Sequence, residues 1–217
     1  MVICCWSAKG GSGCSTVAAG LARGADDMLL VDFAGDLPAL AGMALETDGL
    51  ADWLAAGEDV PVDALRQLEH EVSPGLRLIG SGNADEGRIG AGRGEVLAAV
   101  LASSARRVVV DCGTVVLGDD ALGTAARAVC GGADQSLLVT RSCYLSLRRA
   151  QRAPVRSTGV VLIVEPGRAL RKADVESALG VPVVASVAYD PAIARSVDAG
   201  LVMRRPPRSL RRPLARL

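Results

Sequence analysis

Apolar residues recur along the chain with two different spacings. Short runs rich in Val, Ile and Leu, several apolar at every position, alternate with Ala- and Leu-rich stretches whose apolar positions return every three to four residues. A strand covered on both faces gives the first pattern, and a helix lying on a sheet gives the second. Their alternation predicts an α/β fold: a mostly parallel sheet of seven or eight strands with helices on both faces. The strands fall at Val2–Trp6, Met28–Asp32, Leu76–Ile79, Arg107–Asp111, Gln135–Val139, Gly159–Val164 and Val183–Val187. Helices are placed at Ser15–Arg23, Leu37–Met43, Leu50–Ala56, Val62–Leu68, Glu95–Ser103, Asp120–Cys130, Leu145–Arg152, Lys172–Leu179 and Ala192–Ala199. The glycine-rich stretch Gly80–Gly94 reads as a mobile surface loop rather than a linker, because strand patterns resume after it.

Half of the 217 residues are apolar, enough for one well-buried core. Residues 1–203 form a single domain on this reading, and residues 204–217 a basic, flexible C-terminal tail. Acidic and basic side chains balance at 24 each, so no net field draws in nucleic acid or an acidic surface. A local patch would be needed, and the arginine-rich tail from Arg204 to Leu217 is the place for one, touching anionic lipid or nucleic acid. Pro213 interrupts the helical spacing of Leu210, Leu214 and Leu217, which favours a plain tail. The six cysteines show no zinc-ligand spacing and several lie in apolar runs, which suits a reduced cytoplasm. No N-terminal signal and no apolar run of membrane-spanning length is present, so the expected location is cytoplasmic, with a peripheral position at the membrane or cell pole as the variant.

The chemistry concentrates after the first strand. Ser7-Ala8-Lys9-Gly10-Gly11-Ser12-Gly13-Cys14-Ser15-Thr16 leads directly into an Ala-rich helix. In a strand, glycine loop and helix of this kind, backbone N–H groups turn inward around phosphate oxygens and the helix N-terminus adds partial positive charge. The simplest reading of a glycine-rich segment is a turn, but few turns match a phosphate loop at so many positions. Ser15 is placed to hold a magnesium ion. Lys9 is one of only two lysines among 24 cationic residues.

This run resembles the deviant Walker A motif KGGxGK[ST] of the MinD and ParA ATPases, from Lys9 to Ser15, with Cys14 in the place of the phosphate-loop lysine. The resemblance implies a P-loop NTPase-like fold, ATP and Mg²⁺ as cofactors, nucleotide contacts from Lys9, Gly10, Gly11, Ser12, Gly13, Cys14, Ser15 and Thr16, and a homodimer in which Lys9 reaches the partner's phosphates. Leu30-Val31-Asp32-Phe33-Ala34-Gly35-Asp36 is similar to switch I, with Ala34 where the family usually has its water-positioning aspartate. Asp36 lies two residues late and would need a backbone bulge to substitute as the catalytic residue. Val108-Val109-Val110-Asp111 resembles the Walker B strand, continued by Cys112-Gly113-Thr114-Val115 rather than the family's proline and glycine. Magnesium ligation falls to Ser15, Asp32 and Asp111. The strand Gly159–Ile163 resembles one that often ends in an adenine-reading asparagine, here Ile163.

The resemblance runs from Val2 to Leu201. Gly35-Asp36-Leu37 and Leu40-Ala41-Gly42 look most like the TadZ/CpaE and septum-site-determining branch, here without its usual receiver-like domain. It implies a degenerate member, a pseudo-ATPase in which ATP and Mg²⁺ binding is weakened or lost. A lysine on a β/γ-phosphate contributes roughly 1.5–3 kcal/mol, so its loss weakens binding about 10- to 100-fold. Loss of water positioning costs about 10²–10⁴ in rate. The expected function is a dimerising, partner-binding positioning or scaffold factor for a pole, septum or pilus machine. A slow ATP/Mg²⁺-dependent switch is the alternative, and a ParA-like DNA-segregation ATPase ranks third.

Smaller features carry plainer expectations. Cys14 reads as a small replacement; a redox pair with Cys112 near the same cleft is the alternative, given the thiolate stabilisation a helix N-terminus offers. Trp6 and Trp53 read as packing residues. Leu50–Leu54 is either core or a partner-binding face. His70, between Glu69 and Glu71 on a solvated segment, has no assigned role.

Overall fold

The computed structural model describes residues 1–22, 27–44, 48–57, 60–61, 63–115 and 120–217. In chain order the elements are β1 (Val2–Ser7), α1 (Cys14–Leu21), β2 (Met28–Asp32), α2 (Leu37–Leu40), α3 (Leu50–Ala55), α4 (Ala64–Gln67), β3 (His70–Ser73), β4 (Leu76–Ile79), α5 (Arg93–Ala102), β5 (Arg107–Thr114), α6 (Ala121–Gly132), β6 (Gln135–Arg141), α7 (Tyr144–Ala150), β7 (Gly159–Val164), α8 (Lys172–Leu179), β8 (Val183–Ala188), α9 (Pro191–Asp198) and α10 (Arg208–Leu214). The ends at Arg23 and Val62 of two sequence-placed helices lie outside the described residues.

The strands join in one sheet of order β3-β4-β2-β5-β1-β6-β7-β8. Every pairing is parallel except β3 with β4. β1 is central, with Cys4 registered against Val110 of β5 and Ser136 of β6. All six of its residues are buried, as an apolar run without alternation requires of a strand covered on both sides.

The twofold repeat of side-chain direction then sorts the core into two layers. Cys4, Trp6, Val31, Val110, Cys112 and Leu138 face α3, α5, α6, α7 and α8. Ile3, Cys5, Leu30, Val109, Val139 and Val161 face α1, α2 and α10. Trp6 and Trp53 are core residues: the Trp6 indole donates to Ser136 Oγ at 2.9 Å, and the Arg93 guanidinium lies 4.0 Å from the Trp53 ring centroid. Leu50, Ala51, Trp53 and Leu54 are likewise buried, which makes the inner face of α3 core.

Three sequence expectations are corrected. The segment holding His70 is an edge strand, antiparallel to β4. Gly80–Asn83 is tied to the start of α3, with Leu50 N–H donating to the Gly80 carbonyl and Asn83 N–H to Asp52. A 3₁₀ turn at Glu86–Arg88 follows, so this stretch is structured rather than a mobile loop.

The basic C-terminal segment is not a flexible tail but contains α10. Its Leu210 and Leu214 are 1% and 3% exposed in the layer with α1. Pro213 lies inside α10, one residue before its end, and withholds one backbone donor from the helix without ending it. Gly20 of α1 makes the contact possible, since a Cβ there would lie 2.8 Å from Leu214 Cδ1. Among the described residues no helix is long and apolar enough to cross a membrane.

Candidate functional site

The C-terminal ends of β1, β2, β5 and β6 open onto one cleft of ≈ 690 Å³. Open parallel sheets bind ligands at this edge, where chain crossings diverge. The wall is formed by Gly10–Thr16, Phe33, Ala34, Asp36, Gly113, Thr114 and Arg141, with Ala39, Leu40 and Val197 behind. Seven of the eight residues assigned to nucleotide contact thus border one space; Lys9 does not line it.

Local chemistry explains the loop. Gly11 and Gly13 take positive φ of 72° and 89°, where a side chain would be strained. Gly13 is the residue on which α1 starts, and the turn it makes lets Val17 N–H reach its carbonyl. Ser12 Oγ donates to the Lys9 carbonyl at 2.6 Å and closes the loop on itself. A Cβ on Gly10 would meet Thr114 Oγ1 at 3.8 Å, so the loop lies against the segment after Asp111. Ile163 approaches Gly13, its Cγ1 4.0 Å from where a Cβ would stand.

Asp36 is brought in. Gly35 takes φ 84°, and after this turn Asp36 Oδ2 accepts a hydrogen bond from Ser15 Oγ at 3.1 Å. The bend needed to deliver the late aspartate is therefore present. Asp32 is used differently. Its Oδ1 accepts from the N–H groups of Ala34 and Gly35, and its Oδ2 from Leu37, each at 2.9 Å. Both oxygens thus hold the turn together, which leaves Asp36 rather than Asp32 beside Ser15.

Asp32, at the end of β2, and Asp111, within β5, are register partners, and both are fully buried. Burial, and then the neighbouring Asp111 charge, push the Asp32 carboxyl up to about 7, although the three backbone donors act the other way. Asp111 is raised by burial as well, opposed by Ser15, Cys14 and the Gly113 amide. Its Oδ1 accepts from Gly113 N–H at 3.0 Å, while Oδ2 is buried with no hydrogen-bond partner. An orphaned carboxylate oxygen next to Ser15 and Asp36 is an arrangement that a hard divalent cation or its water shell satisfies. The set Ser15, Asp36 and Asp111 therefore fits Mg²⁺.

Cys14 is 7% exposed in the α1 layer. Burial, then the charge of Asp111, raises its thiol well above the usual range, so the helix N-terminus does not make it a thiolate. Cys112 points to the opposite layer, where its sulfur lies 3.4 Å from that of Cys130. A Cys14–Cys112 redox pair is thus ruled out by the sheet between them. Arg141 supplies the cation that sequence reasoning did not single out. It ends β6 at the cleft and pairs with Glu165 at 2.8 Å, which Arg168 also holds. Its only sequence signal is its place at the end of a strand, which by itself is common.

No protein-family model matches the chain, and no curated protein does. Solved structures match across its length. A ParA family ATPase from Chlorobium tepidum TLS has a TM-score of 0.76 at 25% identity, covering 99% of this chain and 97% of that one. The septum site-determining protein MinD of Pyrococcus horikoshii OT3, complexed with Mg-ADP, gives 0.71 at 18% identity over 99% and 93% of the two chains. A chain of the MinC:MinD cell division protein complex of Aquifex aeolicus gives 0.72 at 20% identity over 99% and 94%. The fold is the mostly parallel α/β fold of these P-loop ATPases.

Proposed function

We propose that this protein is a degenerate ParA/MinD-type P-loop protein acting as a dimerising, partner-binding positioning or scaffold factor, of the kind that marks a cell pole, a septum or a pilus assembly site. Hydrolysis of ATP is slow or absent. The observation that carries this reading is Cys14. It stands in the place of the lysine that the similar ATPases direct at the β- and γ-phosphates, and it offers only a buried thiol kept neutral by its surroundings. Arg141, the cation on the cleft wall, is already paired with Glu165. Charge developing on a transferred phosphoryl group is stabilised mainly by such positioned cations, so the barrier to hydrolysis stays high.

Weak nucleotide binding is compatible with that loss. The backbone of Gly10–Gly13 and the N-terminus of α1 remain available to phosphate oxygens. Mg²⁺, when bound, neutralises phosphate charge, and Ser15, Asp36 and Asp111 are the residues that would hold it. The similar MinD structure contains Mg-ADP, and another neighbour is a complex of MinD with MinC. Both suit a reading in which this chain pairs through its loop face, with Lys9 directed across the pair, and presents a surface to a second protein.

A second reading, a slow ATP-driven switch, is favoured by one contact. Asp36 bonded to Ser15 puts a carboxylate near the cation position, where it can orient an attacking water in place of the residue missing at Ala34.

Titration calorimetry with ATP and Mg²⁺, paired with light scattering and a phosphate-release assay, separates the two. The scaffold reading expects binding no tighter than about 10–100-fold below that of a lysine-bearing loop, with no phosphate release. Steady phosphate release accompanied by a monomer-to-dimer transition establishes the switch instead.

A further inference from the structure

On the face of the sheet away from the phosphate loop, three cysteines converge from three elements. Cys4 lies on β1, and Cys112 lies on β5 two residues beyond Cys4's register partner Val110, so both side chains point the same way. Cys130 descends onto them from the last turn of α6. The three sulfurs all lie within 4.8 Å of one another, and those of Cys112 and Cys130 are 3.4 Å apart. The residues are 0%, 6% and 3% exposed.

We infer that Cys4, Cys112 and Cys130 form a binding site for one thiophilic monovalent d¹⁰ cation, copper(I) being the biological example. At a metal–sulfur bond of about 2.3 Å, a trigonal centre separates its sulfurs by ~4 Å, which lies within the spread seen here. The donor set fixes the class of cation. With sulfur as the only donor in the cluster, hard ions that demand oxygen are disfavoured. Zinc takes four ligands in a closed site, and the cluster has three sulfurs. Copper(I) accepts two or three. Coordination by two of the thiols releases two protons and leaves one net negative charge, with the third thiol as a neutral donor, so the buried charge stays small.

A disulfide is the competing use of such sulfurs. It engages two of the three and needs the Cys112 and Cys130 sulfurs to close from 3.4 Å to about 2.05 Å. Convergence of all three favours the cation.

The test uses the full chain, reduced and kept anaerobic, titrated with copper(I) against a chromophoric copper(I) chelator. One equivalent is expected to bind, with X-ray absorption showing only sulfur neighbours. Replacing Cys112 and Cys130 together by alanine should weaken binding at least 100-fold, whereas Cys143→Ala should leave it unchanged; circular dichroism checks that each variant is folded. If the double variant does not fold, Cys4→Ser takes its place and a loss of at least tenfold is expected. The inference is overturned by stoichiometric binding that survives these changes, by zinc binding more tightly than copper(I), or by no uptake in competition with the chelator. A Cys112–Cys130 disulfide formed by peroxide in protein that takes up no copper(I) overturns it too.

Discussion

Cys14 and Asp111 show how one residue type changes the character of a site. The position is buried beside a carboxylate whose Oδ2 has no partner, so a cation there would have a counter-charge waiting. Cys14→Lys is therefore expected to tighten ATP binding about 10- to 100-fold and to leave phosphate release low, because Ala34 is unchanged. Rapid turnover in that single variant would show that Asp36 already positions the water.

Asp32 gives a second prediction at this scale. Its folded-state value, about 7, stands above the ordinary carboxylate value, so the folded chain holds a proton that the unfolded chain gives up earlier. Its contribution is intact at pH 4 and is lost as pH rises through about 7. Thermal melts should show stability falling between about pH 4 and pH 7 and levelling off above, and Asp111→Asn should flatten that fall by removing the opposing charge. An equal slope in both proteins would put the pH dependence elsewhere.

The sequence brought Ser15, Asp111 and the glycines within reach because each follows a strand end. It did not reveal that Asp32 spends both oxygens on its own turn, since this depends on the backbone bend at Gly35. Arg141 was invisible for a related reason: its partners come from Glu165, on a different segment.

Among the elements, the long apolar runs identify themselves and the short ones do not. Met28–Asp32, Leu76–Ile79 and Gly159–Val164 are strands with the bounds that their apolar runs predict. β3 escapes because four residues carrying His70 and Glu71 on a half-exposed edge lack a continuous apolar run. α10 escapes because the three prolines and six arginines between Arg204 and Leu217 outweigh three leucines in any reading by composition. Two of those leucines, one turn apart, are nevertheless buried against α1, and the arginines snorkel outward around them. Leu214→Ala should then cost about 2–5 kcal/mol, read from urea unfolding. A midpoint equal to that of the unaltered chain would mean α10 adds nothing to the core.

At the scale of the whole molecule, the alternation of strand and helix predicts the α/β architecture and its two helical layers, and the structure has both. The order of strands is a different matter. It is written in register, in which β1 pairs with β5 and β6 across more than a hundred residues, and no local pattern encodes partners so far apart.

That order has a consequence for how the chain is made. Within this sheet the first strand to be synthesised is the central one, and its neighbours are encoded near Val108 and Gln135. Until both have been synthesised, Ile3, Cys4, Cys5 and Trp6 remain an unpaired apolar ribbon. Even then α1 lacks its cover until Leu210 and Leu214 follow, after the last strand of the sheet. Folding should therefore be late and nearly all at once, with the nascent β1 segment a natural client for chaperones that bind bare apolar segments. Losing α10 would be felt at Gly20.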